Sequence, residues 1–145
     1  MRINNIQVED SVSPALADLI RRCSNLNPVL RDFGEFYMNE IDLQFAQETD
    51  PYGKTWTPLT AAYKNYKIKK GFIPKILQRR GHMRARAGYQ ATKNELRIGF
   101  NDDKAKWHDR GTSRMPARQL LPDTRRGLPQ RVQQELEDSL LDYLM

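Results

Sequence analysis

The chain has little of what metal sites and covalent catalysis are built from: one cysteine, Cys23, and two histidines, His82 and His108, in 145 residues. A lone thiol forms no internal disulfide, and these three positions supply neither zinc-ligand spacing nor a Cys/His pair close in sequence. Cys23 reads instead as a buried apolar residue on a helix. A Gly-x-Ser-x-Gly elbow, a phosphate-binding glycine loop and a dinucleotide fingerprint are all missing from the sequence. So is any apolar run of signal-peptide or membrane-spanning length, which points to a reducing cytosol during synthesis and to no membrane partner. The expected catalytic, cofactor-binding and metal-binding residues are therefore none, and the chain reads as a non-enzyme.

Carboxylates do cluster, at Asp102-Asp103 and at Glu135, Glu137 and Asp138. The first pair stands at the start of a helical turn, where the dipole favours negative charge. The second reads as the solvated face of the last helix. Neither has a convergent histidine or basic partner at a spacing that would make an acid/base site.

What is present is charge, unevenly spread. Residues 1–50 hold four basic and nine acidic side chains, residues 51–100 hold twelve and one, and residues 101–145 hold eight of each, giving the net +6. A hydrophobic fraction of 39% is lean for a compact monomer, so burial in an oligomer is expected. The positive middle third would face phosphates or an acidic protein neighbour. Head-to-tail packing would set the acidic third of one copy against the basic third of the next, which favours a ring.

Length fits one domain spanning 1–145, with 1–27 an N-terminal arm or short helix. Ser13-Pro14 starts a short helix with Leu16, Leu19 and Ile20 on one face up to Cys23. Asn27-Pro28 starts a helix of about five turns, whose stripe Val29, Leu30, Phe33, Phe36, Tyr37, Ile41 and Phe45 reads as core. Asp50-Pro51-Tyr52-Gly53 stops it. Trp56 anchors the following loop to the core, Thr60 caps a helix running to Lys70, and Gly71 ends that helix. Alternation over Met83–Tyr89 and Glu95–Phe100, around a polar turn at 91–94, predicts an antiparallel hairpin. Its apolar face would hold Met83, Ala85, Ala87 and Tyr89 with Leu96, Ile98 and Phe100. A helical turn over 102–110 closes at Gly111, and Pro129 starts a last helix with Val132, Leu136, Leu140 and Leu144 in a stripe. The fold class is α+β: long N-terminal helices, a small antiparallel sheet or hairpin, and a C-terminal helix.

Two segments stand out as surfaces. Lys64, Lys67, Lys69, Lys70, Lys75, Arg79, Arg80, Arg84 and Arg86 interleave with Tyr63, Tyr66, Phe72 and Tyr89, the mixture that phosphate neutralisation and base stacking require. A small DNA-binding protein using residues 54–97 is therefore an alternative function, although no DNA-reading motif frames the region. The second segment is Met115-Pro116-Ala117-Arg118-Gln119-Leu120-Leu121-Pro122, entered through Trp107-His108-Asp109-Arg110-Gly111-Thr112. Its prolines fix φ and remove donors at both ends, predicting an extended strap that docks on another subunit. Arg118 would pair there with a neighbour's carboxylate.

The order of landmarks, Pro51-Tyr52-Gly53-Lys54-Thr55-Trp56-Thr57-Pro58-Leu59, Ile76-Leu77, Arg80-Gly81-His82-Met83, Ile98-Gly99-Phe100, Trp107-His108, Gly111 and Met115-Pro116-Ala117-Arg118, resembles the phage virion morphogenesis family. The likeness runs from about Asp50 to the C-terminus. Gln119, Leu120 and Pro122 depart from the family's Ala-Arg-Pro-Phe-Leu-Gly ending, and Asp109 stands where the family usually has Gln. The resemblance implies a structural protein of Mu-like and related tailed phages that completes the tail and joins it to the head. It implies a sixfold ring at the neck as well. Implied partners are the chain itself, the tail tube, the tail terminator and the neck or connector proteins, with contact to packaged DNA. The implied location is the tail-neck region of the virion, reached from the host cytoplasm during assembly. The residues expected at the interfaces are Trp56, Lys69, Lys70, Arg79, Arg80, Trp107, His108, Met115, Pro116, Arg118, Leu120 and Leu121.

Overall fold

Apolar spacing over residues 27–47 produces one long helix, and the rest of the chain is arranged to cover its stripe. In the computed structural model, which describes residues 12–145, the elements run α1 (Val12–Cys23), α2 (Asn27–Gln47), α3 (Ala61–Lys69), α4 (His82–Ala85), β1 (Ala87–Ala91), β2 (Leu96–Phe100), α5 (Ala105–Arg110) and α6 (Gln130–Leu144). The architecture is α+β, as expected. Of the N-terminal arm or short helix expected over 1–27, residues 1–11 lie outside the described residues, and the part that follows them is α1.

Helix α2 buries Phe33, Tyr37, Ile41 and Phe45, the last of them completely. Trp56, Ile76, Met83, Ala105, Leu120 and Val132 join this cluster from six later parts of the chain. Phe45 meets Trp56 edge-on at 5.5 Å and Phe100 at 6.2 Å between ring centroids, a favoured aromatic arrangement. Glu48, in the left-handed conformation, ends the helix, and its N–H returns to the Gln44 carbonyl. The Asn27-Pro28 start signal is correct in place but not in mechanism. Leu26 is the capping residue and makes no side-chain cap, while the Asn27 amide donates to the carbonyls of Ala91 and Thr92. That bond ties the start of α2 to the hairpin turn.

The hairpin is shorter than its alternation suggests. Strands β1 and β2 pair antiparallel with Ala87 opposite Phe100, Tyr89 opposite Ile98 and Ala91 opposite Leu96, and His82–Ala85 form a helical turn instead of strand. Gly81, at φ 80°, starts that turn, and its carbonyl accepts the Ala85 N–H, so the helical bond forms before the chain extends. Met83 is buried as expected, but from α4 and not from a strand face. Tyr89 lies over α2 at Gly34, where a Cβ would come within 2.5 Å of the phenol ring. Its hydroxyl donates to Glu35 at 2.6 Å.

Thr60 caps α3, its Oγ1 accepting the Tyr63 N–H at 3.2 Å, and Gly71 leaves the helix at φ 75°. The last helix packs on α2 through Val132 and an Arg131–Glu40 ion pair, and on α1 through Arg22 and Tyr143. Helix α1 departs from expectation in one respect: Cys23 is exposed, as are Leu16 and Ile20. Among the described residues, no helix is long and apolar enough to cross a membrane, and no cluster of three metal-ligating side chains occurs.

Candidate functional site

The strap is built as a return. Gly111 leaves α5 at φ 76°, and a Cβ on it would sit 2.7 Å from the Ala117 backbone nitrogen, so only glycine permits this close approach. Thr112 and Met115 close a small bridge, and the chain then runs extended past α5. The Arg118 N–H donates to the His108 carbonyl at 2.7 Å, and Asp109 Oδ1 accepts the N–H groups of Leu120 at 2.7 Å and Leu121 at 3.2 Å. From the other side Trp56 Nε1 donates to the Gln119 carbonyl at 2.9 Å, and the Gln44 amide to the Leu120 carbonyl at 3.0 Å. A buried backbone segment needs partners for its polar groups, and here the chain supplies them itself.

These contacts hold the strap against its own chain. Leu120 is 1% exposed and Trp56 3%, so both spend their apolar area inside their own chain. Arg118 Nε donates to the Thr57 carbonyl at 2.8 Å, with Nη2 3.5 Å from that of Pro58, so its fork is directed at the 57–58 loop of its own chain. The expected role of Trp56 as a core anchor holds. Trp107 and Pro116 remain exposed, and His108, Met115 and Leu121 are half-buried.

The basic third divides in two. Lys75 Nζ donates to the Ala46 carbonyl at 2.6 Å, Arg84 pairs with Asp42 at 3.0 Å and Arg86 with Asp102 at 3.4 Å, so these cations hold the fold. Lys67, read from sequence as a phosphate-neutralising side chain, is buried, and Nζ donates to the carbonyls of Lys75 at 2.8 Å and Gln78 at 3.0 Å. It pins the 71–80 loop, in which Leu77 takes a left-handed φ of 58°. Burial lowers its pKa, and Arg118 and Arg79 lower it further. By contrast Lys64, Lys69, Lys70, Arg79, Arg80 and Lys104 are exposed and form no ion pair among the described residues.

Between α3, the 76–82 loop, α5 and the strap lies an open cleft of about 420 Å³. Leu59, Tyr63, Leu77 and Met83 supply apolar lining, while Lys67, Arg79, Arg80, Lys104 and Arg118 bring positive charge against the single carboxylate of Asp102. His82 and His108 complete the wall. His108 Nδ1 is buried without a hydrogen-bond partner among the described residues. Its pKa is lowered first by burial and then by Arg118, with Asp102 opposing. Of the lining residues, Tyr63 also stacks on Tyr66 at 6.0 Å, and Arg79 lies 4.2 Å over the Phe72 ring. Sequence pattern brought the residues of this face together, but it did not reveal Lys67 as an internal donor. A lysine one turn from a glycine-ended helix, next to a loop of bare carbonyls, is the signal that was available.

The profile of the phage virion morphogenesis family matches residues 7–145. The chain is also similar to Mu-like prophage FluMu G protein 1 of Haemophilus influenzae, 36% identical over 85 residues. That match covers 57% of this chain and 58% of the other protein, little more than half of each. No solved structure matches the fold.

Proposed function

The chain belongs to the phage virion morphogenesis family, and from that premise we propose that it is a structural protein that completes the phage tail and joins it to the head at the neck. It acts by ring-forming contacts between copies and with tail tube, tail terminator and connector proteins. The site of action is the tail-neck region of the virion, after assembly in the host cytoplasm. The observation that carries this reading is the exposed, stacked pair Tyr63 and Tyr66 together with exposed Lys69, Lys70, Arg79 and Arg80, which form no ion pair among the described residues, and the separately exposed Trp107. Exposed aromatics and arginines are the residues on which protein interfaces concentrate binding energy. Polymeric virion contacts would bury them.

The test is complementation of a phage lacking the gene. Lysates without the protein are expected to hold separate heads and tails by electron microscopy, and supplied protein should restore joined, infectious particles. Joined particles in its absence would end the proposal. A second reading, DNA binding through residues 54–97, is favoured by the Tyr63–Tyr66 stack among cations, which suits base stacking beside phosphate. Retention of duplex DNA at physiological salt distinguishes it, since purely electrostatic binding falls steeply as salt rises.

A further inference from the structure

Among the described residues, two patches of unpaired charge of opposite sign lie on different elements. One is the cationic cleft, where Arg79, Arg80 and Lys104 have no carboxylate partner among the described residues. The other is α6, where Glu135, Glu137, Asp138 and Asp142 are all exposed. On that helix Glu137 and Asp138 accept only from the neutral amides of Gln133 and Gln134, and its one cation, Arg131, is committed to Glu40. Asp138 and Asp142 stand one helical turn apart, and Leu141, 58% exposed, lies next to them. An apolar side chain among carboxylates matches a cleft with Tyr63, Leu59 and Met83 in its lining and cations around them.

We infer that the cleft receives the acidic face of α6 from a second copy of the chain; this rests on the ring reading above and names its contact. The cleft is lined by α3, the 76–82 loop, α4, α5 and the strap, whereas α6 packs on α2 and α1, so the two surfaces are distinct patches of one molecule. Joining one patch to the other on a neighbour is a head-to-tail contact, which closes into a ring when its rotation allows. A duplex would need a continuous cationic track, and the cleft instead is a pocket bounded by the strap on one side and α3 on the other. An acidic helix face carrying Leu141 complements that lining in charge and apolar character.

Two charge-reversed chains test this, Arg79→Glu with Arg80→Glu, and Glu137→Lys with Asp138→Lys. Each alone should associate about tenfold or more weakly than wild type in sedimentation at low salt, as like charges across an interface repel. Mixed together, they should regain association, a rescue that a folding defect cannot produce. In wild type, carbodiimide coupling of labelled with unlabelled copies should join Lys69, Lys70 or Lys104 to carboxylates of α6 between chains. A wild type that stays monomeric without such cross-links, variants that assemble normally, or a mixture that fails to recover overturns the inference. So does a result in which cleft reversal abolishes duplex DNA retention while α6 reversal leaves association intact. Unjoined heads and tails without these cross-links would remove the contact and keep the tail-joining role; rescue by mixing alongside joined particles in the gene-deleted phage would do the reverse.

Discussion

At Gly34 the tolerance of the fold for a single methyl group is zero, because the Tyr89 ring lies where a Cβ would be, 2.5 Å away. Gly34→Ala therefore should destabilise despite the better helix propensity of alanine, by about 1–3 kcal/mol as overpacking usually costs. Chemical denaturation checks it, and Gly34→Ala combined with Tyr89→Ala should be less than additive. A glycine in mid-helix is visible in sequence, but the ring that requires it comes from a strand more than fifty residues away. His108 makes a second prediction. Its folded pKa lies below the ordinary 6.5, chiefly through burial and then through Arg118, so the unfolded chain binds the proton more readily. The stability contributed by neutral His108 is present above about pH 6.5 and is lost as pH falls toward the folded pKa. The melting temperature of wild type should drop over that range more than that of His108→Asn, as followed by circular dichroism. Equal slopes would show that His108 takes its proton without cost.

At the scale of elements, the boundaries set by local chemistry were legible and those set by partners were not. Thr60, Gly71, Gly111 and Pro129 mark their helix ends because side-chain capping, positive φ and the fixed φ of proline are properties of the residue itself. The alternation from Met83 to Tyr89 misled, since Gly81 nucleates a helical turn that no period-two pattern reports. The flanking prolines make the extended shape of the strap legible but not its contacts with its own chain, because prolines tell the shape of a segment and not what it lies against. Its docking on the chain's own core predicts that Leu120→Ala costs about 2–5 kcal/mol in denaturant unfolding, the range for truncating a filled core position. Arg118→Ala should cost less, since that side chain is only partly buried and its bonds to the 57–58 loop are exposed. If Leu120→Ala leaves the unfolding midpoint unchanged, the strap is not part of the core.

For the whole molecule, composition by thirds was the most informative quantity, yet it overstated the free charge, since Lys67, Lys75, Arg84 and Arg86 are spent within the fold. What remains exposed is separable from stability. Reversing Lys69, Lys70, Arg79 and Arg80 together should move the thermal midpoint little, because exposed charges contribute little to folding. The same variant should fail to restore infectious particles in complementation. Unfolding of the variant would assign these residues to the fold, and normal particle yield would leave them without a partner. One feature of the packing also bears on how the protein is made. The aromatic stripe of α2 is synthesised well before Leu120, whose carbonyl takes the Gln44 amide 76 positions away, and before Val132. Until then Phe33, Tyr37, Ile41 and Phe45 have no complete cover, so a nascent or prematurely terminated chain carries an adhesive helix. Host chaperones, and the speed at which the strap and α6 follow α2 in translation, would then govern how much of this protein reaches a particle.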